Sequence, residues 1–358
     1  MLNRRLSRVA RRLCWGLRPR AEENSFASIR ARFYQSFWKD AAAAAGAELH
    51  ELEDGYWEAR RGAAVTVIRD GEIALDDALR AGLARNKMLV ARLLEPFGFT
   101  TPESVVCDPG SLYAGFEFLR RTGGPVVVKP DGVPKSRFVV PGGPGAGRGI
   151  TCGVRTPRQL ARAARWASLF GERLIVEKEV AGASYRLLYL EGELIDAVRR
   201  DPPRIFGDGV STIAELIRAD NAERKLARPP LALHPLACDL DCRLALERQG
   251  LSAKAVPRAM QTVKVKTVCN ENAAFDNHVA RETIHPALAR IGAEFVRRLG
   301  LRLAGVDVMA ADPSRPPEEG GLVFNEVNAN PGLHHHWLVA ETERRAPVGA
   351  LVLQAALS

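Results

Sequence analysis

The chain has 358 residues, 46% of them apolar, and a formal net charge of +9. That length exceeds what one hydrophobic core usually sustains, so two or three subdomains are expected. No run of ~20 apolar residues occurs, which excludes a membrane-spanning helix, and there is no low-complexity segment or internal repeat. The charge is concentrated: residues 1–20, MLNRRLSRVARRLCWGLRPR, hold seven Arg and no acid, leaving +2 for the other 338. A basic nucleic-acid-binding body is thereby excluded. The tail fits a solvated helix, a helix for an anionic partner or membrane surface, or a segment resembling an organelle transit peptide. Six cysteines are scattered without a CxxC pair, so reduced thiols in a cytoplasmic protein are expected.

In chain order, Phe26, Ile29, Phe33, Phe37 and Ala41 fall at helical spacing and predict an amphipathic helix over 26–46, its aromatic stripe packed into a core. Residues 55–75 read as β structure with turns at Arg61–Gly62 and Asp70–Gly71. A helix is expected over 85–96, ending at Pro96 and Gly98. The buried-type strand Val126–Val128 leads into Lys129, and then five glycines fall within 142–149. A helix over 156–170 and strands over 173–178, 185–190 and 194–200 follow. Asp208–Gly209 marks a turn before a helix capped by Ser211 or Thr212. After a mixed stretch over 218–260 come a strand over 262–268, a helix over 284–299, and strands over 303–311 and 322–328. The pattern is α+β, without a regular βαβ repeat.

The last two strands flank the loop DPSRPPEEGG and should pair as a hairpin. If Ala311 faces Leu322, Asp307 faces Glu326, which brings the two Cβ atoms to ~4.5–5.5 Å. Strict alternation would place Phe324, Glu326 and Asn328 on one face and Val323, Asn325 and Val327 on the other. Two carboxylates that close must share a proton or bind a cation. With the Asn328 amide oxygen beside them, the three form an oxygen-donor set suited to Mg²⁺ or Mn²⁺.

The glycine-rich loop can form an anion nest from backbone N–H groups. It matches neither the Walker A pattern nor the dinucleotide fingerprint, because position 150 is Ile. Lys129 before it and Arg148 inside it supply cations for phosphate.

Four stretches together resemble the ATP-grasp superfamily: VVVKP with GAGRGI; VEKEVAGASYRLLYLEGELIDAV; RRDPPRIFGDGVSTIAELI; and GVDVMAAD with FNEVNANPGL. The likeness is to the grasp module of cyanophycin synthetases and bifunctional glutathione synthetases, with D-alanine–D-alanine ligases more distant. It implies an α+β ATP-grasp fold, two lobes gripping ATP, with an α/β pre-grasp domain in front. The implied divisions are a basic tail at 1–20, the pre-grasp domain at 21–80, a first lobe at 81–180 and a C-terminal lobe with the metal site at 181–358.

The resemblance also implies roles. Lys87 and Lys129 match phosphate-binding lysines, and Gly145, Gly147 and Gly149 match the loop that closes over the phosphates. Glu177 and Lys178 match the adenine hinge, with the backbone near Val180 reading the base edge. Ser184 stands where the family has an acidic ribose contact. Arg186 and Arg200 match cations near the phosphates and the acyl group. Lys266 replaces a family Arg, so that Arg200 or Lys266 would stabilise the oxyanion of a tetrahedral intermediate. Asp307, Glu326 and Asn328 match the metal ligands.

The implied reaction is an ATP-dependent carboxylate–amine ligation through an acyl phosphate, with ATP and Mg²⁺ (or Mn²⁺) as cofactors. Its partners would be a small carboxylate and an amine, without nucleic acid or membrane span; homodimers are common in the fold. The chain departs from the family at Ser184, at the inserted PKSRFVV, at Lys266 and at His334–His336, so its substrate should differ from that of cyanophycin synthetases. The three histidines can bind an acceptor carboxylate, act as a base, bind a metal or pack against the sheet. A peptide- or protein-modifying ligase using 218–260, or a non-catalytic ATP-binding scaffold, are the alternative readings.

Overall fold

The computed structural model describes residues 17–95, 99–131 and 148–358, with side chains from Ser25 onward. Most of the basic tail, Pro96, Gly98 and most of the glycine-rich loop, including Gly145 and Gly147, lie outside the described residues.

A helix over Leu17–Ala45 opens the described chain. Its predicted stripe is buried throughout, and Tyr34 and Trp38 join it. A four-stranded antiparallel sheet follows: β1 (Glu48–Glu51), β2 (Tyr56–Arg61), β3 (Ala64–Arg69) and β4 (Glu72–Ile73). The Trp38 indole N–H donates to the Asp70 carbonyl at 2.7 Å and ties the helix to this sheet. The helix does not build a core of its own. Phe26, Phe33 and Phe37 share one apolar cluster with Leu188, Leu190 and Leu303 and with Val348, Val352 and Leu353 of the last helix, Val348–Ala356. A Cβ on Gly349 would stand 2.8 Å from Phe37 Cζ, so glycine is what lets these helices approach. Phe37→Ala is therefore expected to cost about 3–5 kcal/mol. Guanidinium unfolding would check this, and an effect below about 1 kcal/mol would mean that the helix is not part of this core.

The helix predicted over 85–96 is found as Lys87–Leu94, and an unpredicted helix, Ala78–Arg85, precedes it. Asn86 separates them: its side chain accepts from the Leu89 N–H and caps the second helix. The first lobe is an antiparallel sheet of β5 (Ser104–Cys107), β6 (Val126–Asp131), β7 (Thr151–Val154) and β8 (Arg173–Lys178), in the order β5-β8-β6-β7. Helices Tyr113–Thr122 and Pro157–Ala167 cover it around Val126, Val128, Leu160 and Val176. The second of them starts on a Thr156–Gln159 capping box with Pro157 at its first position.

The C-terminal lobe centres on a five-stranded antiparallel sheet. Its members are β9 (Ala183–Leu190) and β10 (Glu193–Arg200), then, beyond the small pair β11 (Arg204–Phe206) and β12 (Thr262–Lys264), β13 (Asn277–Val279), β14 (Leu303–Ala310) and β15 (Val323–Ala329). Their order is β13-β10-β9-β14-β15. The strand expected over 262–268 stops at Lys264, and the helix after Asp208–Gly209 is capped by Thr212 in a Thr212–Glu215 box. One sheet face packs Leu187, Tyr189, Val306 and Val308 on helix Pro286–Leu299. The other face is divided. Its apolar half, with Leu188, Leu190 and Leu303, lies under the N-terminal helix. Its charged half carries Arg186, Arg200 and Asp307.

Candidate active site

The strand register builds the site. Asp307 pairs with Glu326 across β14–β15 and with Arg186 across β14–β9, while Arg200 pairs with Ser184 across β10–β9 and with Asn277 across β10–β13. Asp307 faces Glu326 as expected, but not for the assumed reason. From Ala304 to Asp307 the hairpin follows the expected register; a bulge then shifts it, and Val308 faces Phe324. Ala311 and Leu322 therefore do not define the alignment. The bulge also corrects the expected alternation. Phe324 joins Val327 in the apolar cluster on the helix side, while Glu326 and Asn328 are left for the site. Bulges recur beside active sites because one extra residue re-aims the side chains that follow.

The expectation that two opposed carboxylates need a shared proton or a metal resolves otherwise in the protein itself. Arg186 grips Asp307 in a bidentate pair, Nε–Oδ1 at 2.6 Å and Nη2–Oδ2 at 2.7 Å. Arg200 Nη2 adds a contact to Oδ2 at 3.1 Å. Glu326 is paired with Lys87, at the start of its helix, at 2.6 Å. Lys129 of β6 meets Glu177 of β8 at 2.6 Å. Burial alone would raise the Asp307 carboxyl; Arg186 and then Arg200 outweigh it and hold the group at about 2. For Glu326, burial also works upward, but Lys87 overcomes it and the group titrates below its ordinary value. Burial works downward on Lys129, yet Glu177 and Glu326 leave it above the usual lysine range. All three are charged at neutral pH.

A stability prediction follows from Asp307. A carboxyl held near 2, against an ordinary 3.8, stabilises the folded state at every pH above the unfolded value. That contribution, about 2 kcal/mol, disappears as pH falls through the folded value. Asp307→Asn should thus destabilise the chain at neutral pH by leaving two buried guanidiniums short of a partner, and the gap to wild type should narrow by about 2 kcal/mol between about pH 6 and pH 2.5. Denaturant midpoints across that range would show it; a constant gap would contradict it.

Arg200 is the group whose capacity is least used. It is 4% exposed, its Nη2 is shared between Asp307 and the Ser184 hydroxyl (2.9 Å), and its Nε and Nη1 are buried with no hydrogen-bond partner. A buried donor without an acceptor is costly, and a guanidinium edge suits a planar or tetrahedral oxyanion. Ser184 is thus found positioning Arg200. At the Glu326 end of the row lies a cleft lined by Lys87, Lys129, Glu177 and Glu326 together with apolar Met88 and Phe324.

The remaining expected residues divide. Gly149 has φ +79° and a Cβ there would meet Phe170 at 2.6 Å, so only glycine fits this turn against the helix end. The Glu177 carboxylate is committed to Lys129, whereas Lys178 is exposed and Val180 half-buried at the end of β8, where the chain passes from one sheet to the other. Lys266 is corrected: it does not join the row. It is buried with its ammonium between Asp239 and Glu271, both at 2.9 Å, and these acids raise it against its burial. His336 is packed inside, Nδ1 against Asp196 at 2.6 Å. Tyr34, whose hydroxyl meets His334 Nδ1 at 2.8 Å, went unread in the sequence. It sits one position beyond the apolar stripe, and nothing local tells a buried tyrosine with a distant partner from ordinary core.

Among the described residues, no three His, Cys, Asp or Glu side chains gather as a metal cluster. The donor set that fits a divalent ion is the mixed one. Asp307 uses three of its roughly four acceptor positions on arginine. Glu326 keeps an oxygen beyond its Lys87 contact, and Asn328 has a buried Nδ2 with no partner. Two carboxylates and an amide oxygen are hard ligands of the Mg²⁺ type.

The two sheets, the cleft between them and the cationic–acidic row define an ATP-grasp fold. A crystal structure of a bifunctional glutathione synthetase from Pasteurella multocida superposes with a TM-score of 0.55 at 22% identity, over 90% of this chain and 44% of that one. In sequence, the chain is a distant homologue of the ATP-grasp regions of two proteins. It is 29% identical over 273 residues to a cyanophycin synthetase of Trichormus variabilis, covering 75% of this chain and 29% of that protein. It is 26% identical over 304 residues to the glutathione biosynthesis bifunctional protein GshAB of Mannheimia succiniciproducens, covering 81% and 38% respectively. The chain thus spans about a third of the length of these curated relatives. No family model matches it. No helix among the described residues is long and apolar enough to cross a membrane.

Proposed function

We propose that the chain is an ATP-dependent carboxylate–amine ligase that forms an amide through an acyl phosphate, acting on an amino acid or short peptide. The observation that carries this reading is Arg200: a buried guanidinium with two unpaired donors, fixed by Ser184 and by Asp307, whose cross-strand partner Glu326 lines a cleft together with two lysines. Phosphoryl transfer asks a protein for positioning and charge neutralisation rather than covalent chemistry. Lys87 and Lys129 neutralise phosphate oxygens, exchanging Glu326 and Glu177 for them. Asp307, Glu326 and Asn328 would hold Mg²⁺ or Mn²⁺, which when bound adds Lewis-acid neutralisation of phosphate charge. Arg200 donates to the acyl group as negative charge develops on its oxygen. Arg186 keeps Asp307 ionised and in place. The backbone at 179–182 offers the base-reading hinge.

The test is an ATP-dependent screen. The full chain is incubated with ATP, Mg²⁺ and a pool of amino acids and short peptides; ADP release is followed, and products are read by mass spectrometry. An amide product with stoichiometric ADP supports the ligase. Nucleotide binding without turnover on any carboxylate–amine pair would count against it and favour a scaffold.

A further inference from the structure

Cys238 and Cys242 take no part in the ligase chemistry, yet the fold brings them together. Cys238 is exposed and Cys242 is fully buried. Their sulfurs lie 3.8 Å apart, with the Cys242 thiol donating to Cys238 Sγ. Cys238 precedes Asp239, the N-cap of helix Leu240–Glu247, and Cys242 belongs to the first turn of that helix. The Asp239 carboxylate accepts from the Cys242 N–H at 3.1 Å and so fixes the turn between the two thiols. Cys242 is anchored: it packs with Ile213, Leu246 and Val263, and its neighbour Asp241 accepts from the Cys152 N–H at 3.0 Å and the Thr267 N–H at 2.8 Å. Cys238 instead ends the stretch 227–238, which has neither helix nor strand. A disulfide needs the sulfurs to approach by about 2 Å, and rotation of the exposed side chain supplies this without disturbing the buried one.

A metal ion is the competing occupant of two facing thiols. Asp239, the carboxylate between them in sequence, is taken by Lys266 at 2.9 Å. Among the described residues no cluster of three His, Cys, Asp or Glu forms, whereas a structural zinc site needs four ligands. Thiol–disulfide exchange needs less: an accessible thiolate to attack and a second thiol within reach to resolve. The hydrogen bond from Cys242 lowers Cys238 below the ordinary thiol value, and Arg243 and Lys266 act the same way against burial. The same bond, with burial, raises Cys242. Cys238 is therefore the thiolate of the pair. Burial raises Cys107, Cys152 and Cys269, which makes each of them a poorer nucleophile at neutral pH.

We propose that Cys238 and Cys242 form a redox-active dithiol, in which Cys238 reacts with a small organic disulfide and Cys242 resolves the product to an internal disulfide. The Cys238 thiolate attacks one sulfur of the disulfide RSSR, forming a mixed disulfide and expelling RS⁻. Cys242 gives its proton to that RS⁻, and its sulfur then attacks Cys238 Sγ. The Cys238–Cys242 bond forms and a second RS⁻ leaves, taking a proton from water. Two protein thiols are oxidised and one disulfide is reduced to two RSH. The assignment does not depend on the ligase reading. The test treats the reduced full chain with 2-hydroxyethyl disulfide, blocks remaining thiols with N-ethylmaleimide and maps the peptides by mass spectrometry. A Cys238–Cys242 link should be the dominant new bond. Cys242→Ala should stop at the mixed disulfide on Cys238, and Cys238→Ser should slow consumption of the disulfide by at least about tenfold. If either variant does not fold, the wild-type map decides. Cys238 joined to a different cysteine, a mixed disulfide on Cys238 that never resolves in the wild type, or Cys238 still reduced after another cysteine has reacted would overturn the proposal.

Discussion

Arg200→Met is expected to lower the turnover of amide formation by roughly 10²–10³-fold, the scale seen when one oxyanion donor is removed from a preorganised site. Methionine fills much of the same volume but removes the two donors now buried without partners. Asp307 keeps its bidentate contact with Arg186, so the variant should still fold. Nucleotide affinity should change little, because Lys87 and Lys129, not Arg200, line the cleft. Arg200→Lys should not restore activity. One ammonium on a flexible stem cannot serve Ser184, Asp307 and a ligand oxygen in the fixed fork that guanidinium provides. Steady-state ADP release beside a nucleotide titration separates the two quantities. Turnover within about threefold of wild type would remove Arg200 from the chemistry.

Glu326→Gln should act on the other end of the row and by a different route. The carboxylate is ionised and paired with Lys87 at 2.6 Å, opposite Asp307. The amide keeps the shape but removes one of only two carboxylates in the proposed cation site. Loss of several kcal/mol of charge stabilisation corresponds to roughly 10²–10⁴-fold in turnover. The half-saturating Mg²⁺ concentration should rise together with the loss of rate, which a purely structural role for Glu326 would not produce. Lys87, freed from its carboxylate, remains available to phosphate, so nucleotide without metal should bind no more weakly than to wild type. An unchanged metal dependence would take Glu326 out of the metal site even if the rate fell.

The sequence by itself settled the features that depend on local pattern. The apolar stripe from Phe26 to Ala41, the strand leading into Lys129, a helix cap at Ser211 or Thr212 and the hairpin around 312–321 follow from periodicity and turn chemistry, which act over a few residues. It also placed Asp307 opposite Glu326, a pairing that holds in the stretch Ala304–Asp307 although the loop-end pairing assumed for it does not form. Three things were decided only in the tertiary structure. The bulge between Asp307 and Val308 divides Phe324 from Glu326, and a one-residue insertion in the ladder leaves no mark in an alternating pattern. The partners of the buried charges were chosen by sheet order: Arg186 and Arg200 reach Asp307 because β9 lies between β10 and β14, whereas Lys266, equally cationic in sequence, folds between Asp239 and Glu271. Finally, the N-terminal helix carries Tyr34 to His334, 300 residues away. Contacts at such separation are fixed by how layers pack, and no local propensity encodes them.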